Sequence, residues 1–378
     1  MSERSDDLRT LVVHAGRAPN PGSGGLAPAI DLSTTFARDE RGELLGEFLY
    51  GRSNNPNRRD LEACLTALEA GAAALAFASG SAAFAAVLQA LHHGSAVLVP
   101  EDVYHGSRAL VTRVGSGLRR VDVDMTDLAA VEASLRAHAP ALVLIESPSN
   151  PLLRITDLAA TTALAHTHGA TVLVDNTWAT PILCRPLELG ADLVLHSTTK
   201  YLGGHGDVTG GALVTAAVTP LWSRLTELQQ LAGAVPSPFD CWLTLRGIAT
   251  LALRVEAQCA NAAHLAEHLH ADPRVVEVLY PGLATHPGHT TALRQMRRPG
   301  AMLSVRVKGG EEGAARWMGG LRLFGRATSL GGVHSLAEHR TKVEGPESAT
   351  PKDLVRLSVG IEAVADLVGD VDGAFGAG

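Results

Sequence analysis

The sequence is poor in several features that mark particular protein classes. Only 4% of its 378 residues are aromatic and 46% are hydrophobic, so its core must consist mainly of small and branched aliphatic side chains. No run of lysine and arginine exceeds a pair and the formal net charge is -7, which argues against binding to nucleic acid or to an anionic membrane. The four cysteines show no CxxC spacing. This argues against a disulfide scaffold or zinc site and favours a reducing, cytoplasmic compartment.

Long apolar runs are also scarce. The amino-terminal stretch MSERSDDLRT is charged and polar, so we expect no secretory leader. Residues 72–91 carry no charge and have about the length of a membrane span, but they are mostly alanine and include Ser79, Gly80, Ser81 and Gln89. We therefore interpret this stretch as a buried strand, a tight turn and a helix.

Short apolar runs alternate with helical patterns over residues 51–235. Continuous rather than alternating hydrophobicity is typical of strands covered on both faces. The pattern predicts an α/β fold whose large domain has a mostly parallel sheet flanked by helices. We expect Thr126 to cap a helix over 126–138, and a similar helix over 157–168. The predicted strands are Leu75–Ala78, Ala96–Val99, Ala141–Ile145, Thr171–Val174, Leu193–Leu195 and Gly211–Val214.

The two ends of the chain have a different character. Residues 1–50 are rich in glycine and proline and suggest an irregular arm. Beyond residue 236, a long helical stretch over 239–270 precedes two or three strands and further helices. This pattern predicts a smaller C-terminal α+β domain over 236–378. Its predicted strands are Val275–Leu279, Met302–Val307 and Val355–Val359.

Polar residues follow four of the predicted strands of the large domain. Ligands bind at the carboxyl ends of strands in such sheets, so we expect these residues to meet at one edge. They are Ser79-Gly80, Glu146 to Asn150, Asp175-Asn176 and His196 to Lys200.

These residue types match the needs of pyridoxal phosphate (PLP) chemistry. The cofactor needs a lysine for its aldehyde, an acid for its pyridine nitrogen, and hydroxyl and backbone N–H groups for its phosphate. Lys200 ends HSTTK, and could equally be a solvated surface lysine. Asp175 ends TVLVD, and could be a helix cap. Ser79 to Ser81 open an alanine-rich helix, and could form an ordinary strand–helix turn.

Eight motifs, in order, resemble those of the cystathionine γ-synthase/γ-lyase family, and the likeness runs from about His14 to Asp370. The resemblance implies a PLP-dependent fold type I (aspartate aminotransferase-like) enzyme. It also implies a homotetramer of two active dimers, and γ-elimination or γ-replacement on a homoserine-derived or sulfur-containing L-amino acid. The motifs are FASGSAA (77–83), EDVYHGSR (101–108), ESPSNPLLRITDL (146–158), VDNTWATP (174–181), HSTTKYLGGHGDVTGG (196–211), SPFDCWLTLRG (237–247), SLGGVHSL (329–336) and VRLSVGIE (355–362).

The resemblance also implies roles for the cofactor-binding residues. Lys200 would be the Schiff-base lysine and the base for the α-proton, and Asp175 would pair with the pyridine nitrogen. Tyr104 would stack on the ring and assist proton transfer. The phosphate would be held by the backbone N–H groups of Gly80 and Ser81 and by the hydroxyls of Ser197 and Thr199. The family usually has methionine at position 81, but a backbone contact tolerates serine.

Further roles concern the substrate and the neighbouring subunit. Arg356 would bind the substrate α-carboxylate, helped by Asn150 and by Ser329 or Ser335. The pair Tyr50 and Arg52, in YGRSNNP, resembles one that reaches the phosphate in the neighbouring subunit. The arm over residues 1–50 would therefore contribute to that subunit.

Two departures from the family bear on the substrate. Leu49 and His334 occupy positions that are commonly acidic in family members acting on cystathionine. Losing both acids predicts a small, uncharged γ-substituent, whereas ordinary drift within a cystathionine enzyme would leave the specificity unchanged. A cystathionine β-lyase, a methionine γ-lyase-type enzyme and an inactive PLP-fold binding protein stay open as alternatives.

Two other motifs resemble a dinucleotide loop and a metal site but lack the required spacing or ligands. The glycines of GGHGDVTGG lack the GxGxxG spacing of a dinucleotide loop. His264 and His268 have helical spacing but no evident third ligand, so we expect no metal site.

Overall fold

The computed structural model describes residues 7–20, 22–115, 117–344 and 350–376. A seven-stranded sheet dominates the first two thirds of the chain. Its strands are β1 (Ala73–Phe77), β2 (Ala96–Pro100), β3 (Arg119–Val123), β4 (Leu142–Glu146), β5 (Thr171–Asp175), β6 (Leu193–His196) and β7 (Gly211–Thr215). Their spatial order is β1-β7-β6-β5-β4-β2-β3.

This sheet is mostly parallel, which confirms the prediction. Only β7 runs against its neighbours, β1 and β6, and the other pairings are parallel. Alternate residues of β4 enter different cores, because Leu142 and Leu144 pack into one apolar cluster and Val143 and Ile145 into another. Its first four residues are all apolar because helices cover both faces of the strand.

Helices surround the large sheet on both sides. They are α1 (Leu8–His14), α2 (Pro56–Leu68), α3 (Gly80–Ala90), α4 (His105–Ala109), α5 (Leu128–His138), α6 (Leu158–Thr167), α7 (Thr180–Leu183), α8 (Pro220–Ala232), α9 (Pro238–Ile248) and α10 (Leu251–His270). A π-helical turn covers Leu110–Val114 and a 3-10 turn covers Pro186–Leu189. Residues 72–91 form β1, a turn and α3, as the sequence predicts. No helix in the described ranges is long and apolar enough to cross a membrane.

Helix caps fix where several of these helices begin. Ser79 caps α3 and Asp157 caps α6, each through a side-chain oxygen that accepts a backbone N–H of the first turn. The predicted cap at Thr126 is wrong, because Asp127 caps α5 and the Thr126 hydroxyl instead donates to Asp124. The carboxylate one residue later satisfies two N–H groups of the helix, which the threonine hydroxyl does not reach.

The remaining residues form a smaller sheet with its own helices. The elements are β8 (Val275–Leu279), α11 (His289–Gln295), β9 (Met302–Val307), α12 (Gly310–Gly320), β10 (Gly325–Arg326), β11 (Leu336–His339), α13 (Arg340–Glu344), β12 (Leu354–Ser358) and α14 (Val364–Phe375). The strand order is β10-β11-β12-β9-β8, and only β10 and β11 pair in parallel.

Helix α10 belongs to both cores. Its residues Val255 and Cys259 pack with the large sheet, whereas Leu265 and Leu269 pack with the small one. Helix α9 also packs with the large-sheet core. The boundary expected at residue 236 therefore precedes two elements that pack against the large sheet, and the change of core falls within α10.

Candidate active site

A cavity opens at the carboxyl ends of the central strands. Each polar group that follows β1, β4, β5 and β6 contributes to its lining, so the four groups meet at one edge of the sheet, as the sequence predicts. The lining residues are Ser79, Gly80, Glu146, Asn150, Asp175, Ser197, Thr199 and Lys200. Asn176 and His196 do not line it, and both instead hydrogen-bond to the buried Glu69. Residues from the small sheet close the opposite wall. They are Thr328, Ser329, Leu330, Arg340 and Arg356.

Lys200 lies in this cavity, in the segment that follows β6. Its Nζ donates a hydrogen bond of 2.9 Å to the Oγ of Ser329. Burial lowers the pKa of the amine, and the nearby charge of Arg356 lowers it further. Both effects favour the neutral amine, the form that can attack a carbonyl carbon or accept a proton.

An anion-binding corner lies at the start of α3. The backbone N–H groups of Gly80 and Ser81 are at its first turn, and among the described residues neither has a hydrogen-bond partner. A Cβ at position 80 would lie 3.0 Å from the Cβ of Ser197, so glycine allows the helix start and that serine to approach closely. Thr199 lines the same cavity, and its hydroxyl is engaged with the backbone of Gly210.

Two acids end adjacent strands on the floor of the cavity. Glu146 and Asp175 are paired residues of β4 and β5. Asp175 accepts a 3.0 Å hydrogen bond from the backbone N–H of Thr177, while burial raises its pKa. Burial, then the charge of Asp175, raises the pKa of Glu146 well above its usual range. Glu146 accepts the N–H of Tyr104 through one oxygen, and its other oxygen has no partner among the described residues.

Arg356 faces the cavity from β12 and is buried. Its Nη1 donates to Oδ1 of Asn150 at 2.8 Å, and its Nη2 donates to the carbonyl oxygen of Ser329 at 3.0 Å. The three residues come from distant parts of the sequence and meet on one wall. The guanidinium carbon of Arg356 also lies 6.0 Å from the ring centre of Trp178, which lines the cavity as well.

Tyr104 completes the cavity from the segment after β2. Its ring lines the cavity and is 38% exposed. The backbone N–H of the same residue is held by Glu146, which ties the aromatic ring to the end of β4. A ring placed this way is able to cover one face of a bound aromatic cofactor.

Three sequence-predicted residues lie on the surface, away from this cavity. Leu49 and Tyr50 are exposed, and Arg52 donates to the carbonyl oxygen of Gln230 at 2.5 Å. The Arg52 guanidinium lies 5.7 Å from the centre of the Tyr50 ring. The placement of the pair on the surface means that neither residue reaches the cavity of its own chain.

The two remaining substrate candidates occupy different places. Ser335 is fully buried, donates to Glu362 at 2.9 Å and accepts the N–H of Gly360, so its hydroxyl is used within the small domain and does not line the cavity. Ser329, from the same motif, does line the cavity. His334 lines an adjoining cavity, which shares Ser329 and Thr328 with the first.

Several cavity residues carry no role from the sequence. The most prominent is Arg340, which the sequence places in a charged segment of the C-terminal domain. Glu146 could be found by asking which polar residues end a buried strand, and Thr177 by asking which lie just beyond one, since β5 ends at Asp175. Arg340 follows no local pattern, and only the pairing of β11 with β12 brings it to the site.

The donors in the cavity fit PLP. The helix start and Ser197 suit a phosphate, the Asp175 carboxylate suits a protonated pyridine nitrogen, and the Lys200 amine suits an aldehyde. Gly80 keeps the phosphate corner open, since a Cβ there would press on Ser197. Within the described ranges, no group of three or more metal-ligating side chains is present. His268 instead lies 3.0 Å from the carboxylate of Asp372.

Comparison with known proteins agrees with this geometry. Residues 9–376 match the family model described as Cys/Met metabolism PLP-dependent enzyme. The chain is 48% identical to a cystathionine gamma-synthase of Mycobacterium tuberculosis over 97% of this chain and 96% of that protein. It is 42% identical to an L-methionine gamma-lyase of Pseudomonas putida over 99% and 98% of the two chains. The structure of a cystathionine gamma synthase from Xanthomonas oryzae in complex with cystathionine superposes with a TM-score of 0.94, at 41% identity and over 98% of each chain.

Proposed function

The chain belongs to the Cys/Met metabolism PLP-dependent enzyme family, and from that membership we propose that it acts at the γ-carbon of a homoserine-derived or sulfur-containing L-amino acid. It is a trans-sulfuration enzyme of the cystathionine γ-synthase/γ-lyase type. The observation that carries the proposal is the meeting of Lys200, Asp175 and Arg356 in one cavity. These residues supply an amine, an acid and a carboxylate receptor.

In this proposal separate residues bind the α-carboxylate of the substrate and remove its α-proton. Arg356 binds the α-carboxylate through its guanidinium donors. Asn150 orients that guanidinium, since its Oδ1 accepts from Nη1, and its Nδ2 is a further donor for the carboxylate. The bound PLP withdraws electrons from the α-carbon. Lys200, held by Ser329 and with its pKa lowered by burial, accepts the α-proton at Nζ. Removal of a second proton, from the β-carbon, would then release the γ-substituent.

Other residues of the cavity are proposed to hold the phosphate and the pyridine ring of PLP. Gly80 and Ser81 N–H groups at the start of α3, with the Ser197 and Thr199 hydroxyls, hold the phosphate. Tyr104, which lines the cavity, would cover one face of the pyridine ring and assist proton transfer.

The γ-substituent is proposed to be small and uncharged. Leu49 and His334 stand where related enzymes carry acids, and His334 lines the cavity that adjoins the candidate site. Comparing turnover of cystathionine with that of a homoserine ester and of methionine tests the size and charge of the γ-substituent. A strong preference for cystathionine would contradict a small, uncharged substituent.

The proposal extends to assembly and location. We propose a homotetramer of two active dimers, in which Tyr50 and Arg52 complete the phosphate site of the neighbouring subunit. The exposed apolar residues of the arm support this, since Leu26, Leu32 and Leu45 have no cover in the single chain. We also propose a cytoplasmic location, which suits the four buried, unpaired cysteines.

The deciding experiment is to incubate the PLP-loaded protein separately with L-cystathionine, an O-acyl-homoserine, methionine and cysteine, and to identify the keto acid. 2-Oxobutanoate from any of them would support γ-chemistry. Pyruvate from cystathionine would move the assignment to a β-lyase. The K200A variant is the negative control. A colourless protein that traps no PLP on Lys200 after borohydride treatment would contradict the enzymatic function altogether.

A further inference from the structure

A buried carboxylate lies behind the strands that form the candidate site. Glu69 follows α2, is fully buried and is not part of the cavity lining. One of its oxygens, Oε1, lies 2.6 Å from Nε2 of His196 and 2.9 Å from Nδ2 of Asn176. His196 and Asn176 are buried as well. None of the roles described above uses these three side chains.

The hydrogen bonds of this cluster show which atoms carry protons. The Asn176 Nδ2 also lies 2.9 Å from the backbone carbonyl oxygen of Cys184, an atom that can only accept. The amide nitrogen therefore donates to both oxygens, and Oε1 of Glu69 is an acceptor. Because Oε1 is an acceptor, the adjacent Nε2 of His196 is a donor.

The surroundings of Glu69 favour its ionised form, with His196 as its cation. A proton on the other oxygen, Oε2, would find no acceptor, because that atom has no partner among the described residues. A carboxylate removed from water needs a cation beside it, and His196 is the one ion-pair partner that the described residues give Glu69. The carboxylate and the imidazolium thus form a buried ion pair.

This ion pair lies behind Asp175. Leu195 pairs with Asp175 in the sheet and lines the cavity, so the next residue, His196, points to the opposite face. Burial raises the pKa of Asp175, and hydrogen bonds from Thr177 act against burial. The positive charge of His196 lowers the pKa of Asp175 as well, ahead of the charge of Lys200.

The cluster also ties two strand ends together. Asn176 follows Asp175, the last residue of β5, and His196, the last residue of β6, precedes Ser197. Both donate to the same oxygen of Glu69. One buried acid therefore fixes the separation between the carboxylate suited to the pyridine nitrogen and a hydroxyl suited to the phosphate.

We propose that Glu69 and His196 are positioning residues for PLP, and that they act through Asp175. Glu69 holds the imidazolium of His196 behind the sheet, and that positive charge keeps Asp175 ionised for the pyridine nitrogen. The inference rests on the proposed function, since it takes PLP as the cofactor and Asp175 as its partner. It requires that the ion pair favour only ligands with a basic ring nitrogen.

The test compares two ligands that differ at one position of the ring. PLP and its 1-deaza analogue share the aldehyde and the phosphate, but carbon replaces the pyridine nitrogen in the analogue. Calorimetry with the cofactor-free protein gives a dissociation constant for each. In E69Q we expect PLP to bind about tenfold more weakly, the size of one lost interaction with a charged group, and the analogue to bind no more weakly.

A matched control is available on the same helix. Glu62 of α2 accepts the backbone N–H of Ala76 in β1 and contacts neither β5 nor β6 through a printed hydrogen bond or ion pair. E62Q makes the same change of acid to amide, and it should leave the ratio of the two dissociation constants as it is in the wild type.

Further variants separate the charge from structural damage. E69D keeps the carboxylate and should retain more PLP affinity than E69Q. H196Q removes the cation itself and should weaken PLP but not the analogue, so it tests the inference even where E69Q does not fold. In a D175N background, E69Q should have no further effect on PLP, because the charge through which the ion pair acts is already gone.

Several results would overturn the inference. Folded E69Q and H196Q proteins with wild-type PLP affinity would do so, as would equal weakening of PLP and the analogue, which would make the cluster purely structural. An E69Q effect that persists in full in D175N would do so as well. A wild-type protein that binds the analogue as tightly as PLP would contradict the role of Asp175 in the proposed function and this inference with it. Selective loss of PLP affinity in E69Q, in a protein whose wild type forms no keto acid, would contradict the proposed reaction and leave this inference standing.

Discussion

Ser329 joins Lys200 to Arg356 through two different atoms. Its hydroxyl accepts the lysine Nζ at 2.9 Å, and its carbonyl oxygen accepts the arginine Nη2 at 3.0 Å. The residue has a φ of 91°, in the region that favours glycine. A serine kept in that conformation is strained locally, and the strain is sustained by the contacts on both sides. Ser329 thereby fixes the position of the Lys200 amine relative to the Arg356 guanidinium.

Removing the Ser329 hydroxyl should slow the reaction. In S329A the lysine loses the hydroxyl that accepts its Nζ, and we expect kcat to fall about tenfold, the size of one lost hydrogen bond. S329G should lose a similar factor in kcat while relieving the backbone strain, so its melting temperature should not fall below that of S329A. Steady-state kinetics and thermal melting check both effects. An S329A enzyme as fast as the wild type would rule out the role of the hydroxyl.

The pH dependence of cofactor capture should report on Arg356. Burial and the Arg356 charge lower the pKa of Lys200, so the reactive neutral amine persists to lower pH than for an ordinary lysine. R356Q removes a positive charge, which raises that pKa and moves the midpoint of capture to higher pH. The rate at which cofactor-free protein captures PLP, followed by borohydride trapping, measures the midpoint. R316Q removes an exposed arginine of α12 and is the control, in which the midpoint of capture should not move. A midpoint that stays or falls in R356Q would contradict an effect of the Arg356 charge on Lys200.

The two buried acids should respond differently to neutral substitution. D175N removes the charge that would stabilise a protonated pyridine nitrogen, and we expect kcat to drop about a hundredfold or more. Glu146 is already biased to its neutral form by burial and by Asp175, so E146Q should cost far less. Kinetics at neutral pH compare the pair. Equal losses in the two variants would show that the charge of Asp175 has no special part.

Close packing at the phosphate corner gives a stability prediction. A Cβ at Gly211 would lie 2.2 Å from the carbonyl oxygen of Ser79, so G211A must push β7 away from the start of α3. We expect a loss of about 1–3 kcal/mol in the free energy of unfolding, together with weaker PLP binding. Gly319, in α12, has open space around it, and G319A should be neutral or slightly stabilising. Chemical denaturation and PLP titration give both quantities.

Mixing experiments test the shared active site. If Arg52 serves the neighbouring subunit, R52A and K200A should each be inactive alone, and hybrids of the two should regain activity. Each hybrid dimer then contains one site with both native residues. The two variants are refolded together and separately, with turnover as the readout. Hybrids that stay inactive would confine Arg52 to its own chain.

Much of this architecture follows from local patterns in the sequence. The apolar runs of β1, β2 and β4 to β7 stand out because both faces of those strands are buried. The cap at Ser79 is visible because a serine precedes an uncharged helix. Strand β3 has no such apolar run, because it lies at the sheet edge and three of its five residues are charged.

The parts that the sequence did not predict depend on contacts between distant residues. Arg340 reaches the cavity because β11 pairs with β12, and no spacing in the sequence shows that pairing. The likeness of SLGGVHSL to the family motif suggested Ser335 as well as Ser329, but only the fold shows that Glu362 engages the Ser335 hydroxyl. The packing of α9 and α10 with the large sheet, beyond the boundary expected at residue 236, depends on such distant contacts as well.

Helix α10 makes the two cores interdependent. Val255 is buried against the large sheet and Leu265 against the small one, on a single uninterrupted helix of 20 residues. Helix formation is cooperative, so melting one core would unravel the turns on which the other depends. We therefore expect the chain to unfold in a single transition, because the small sheet packs on a helix that also supports the large one.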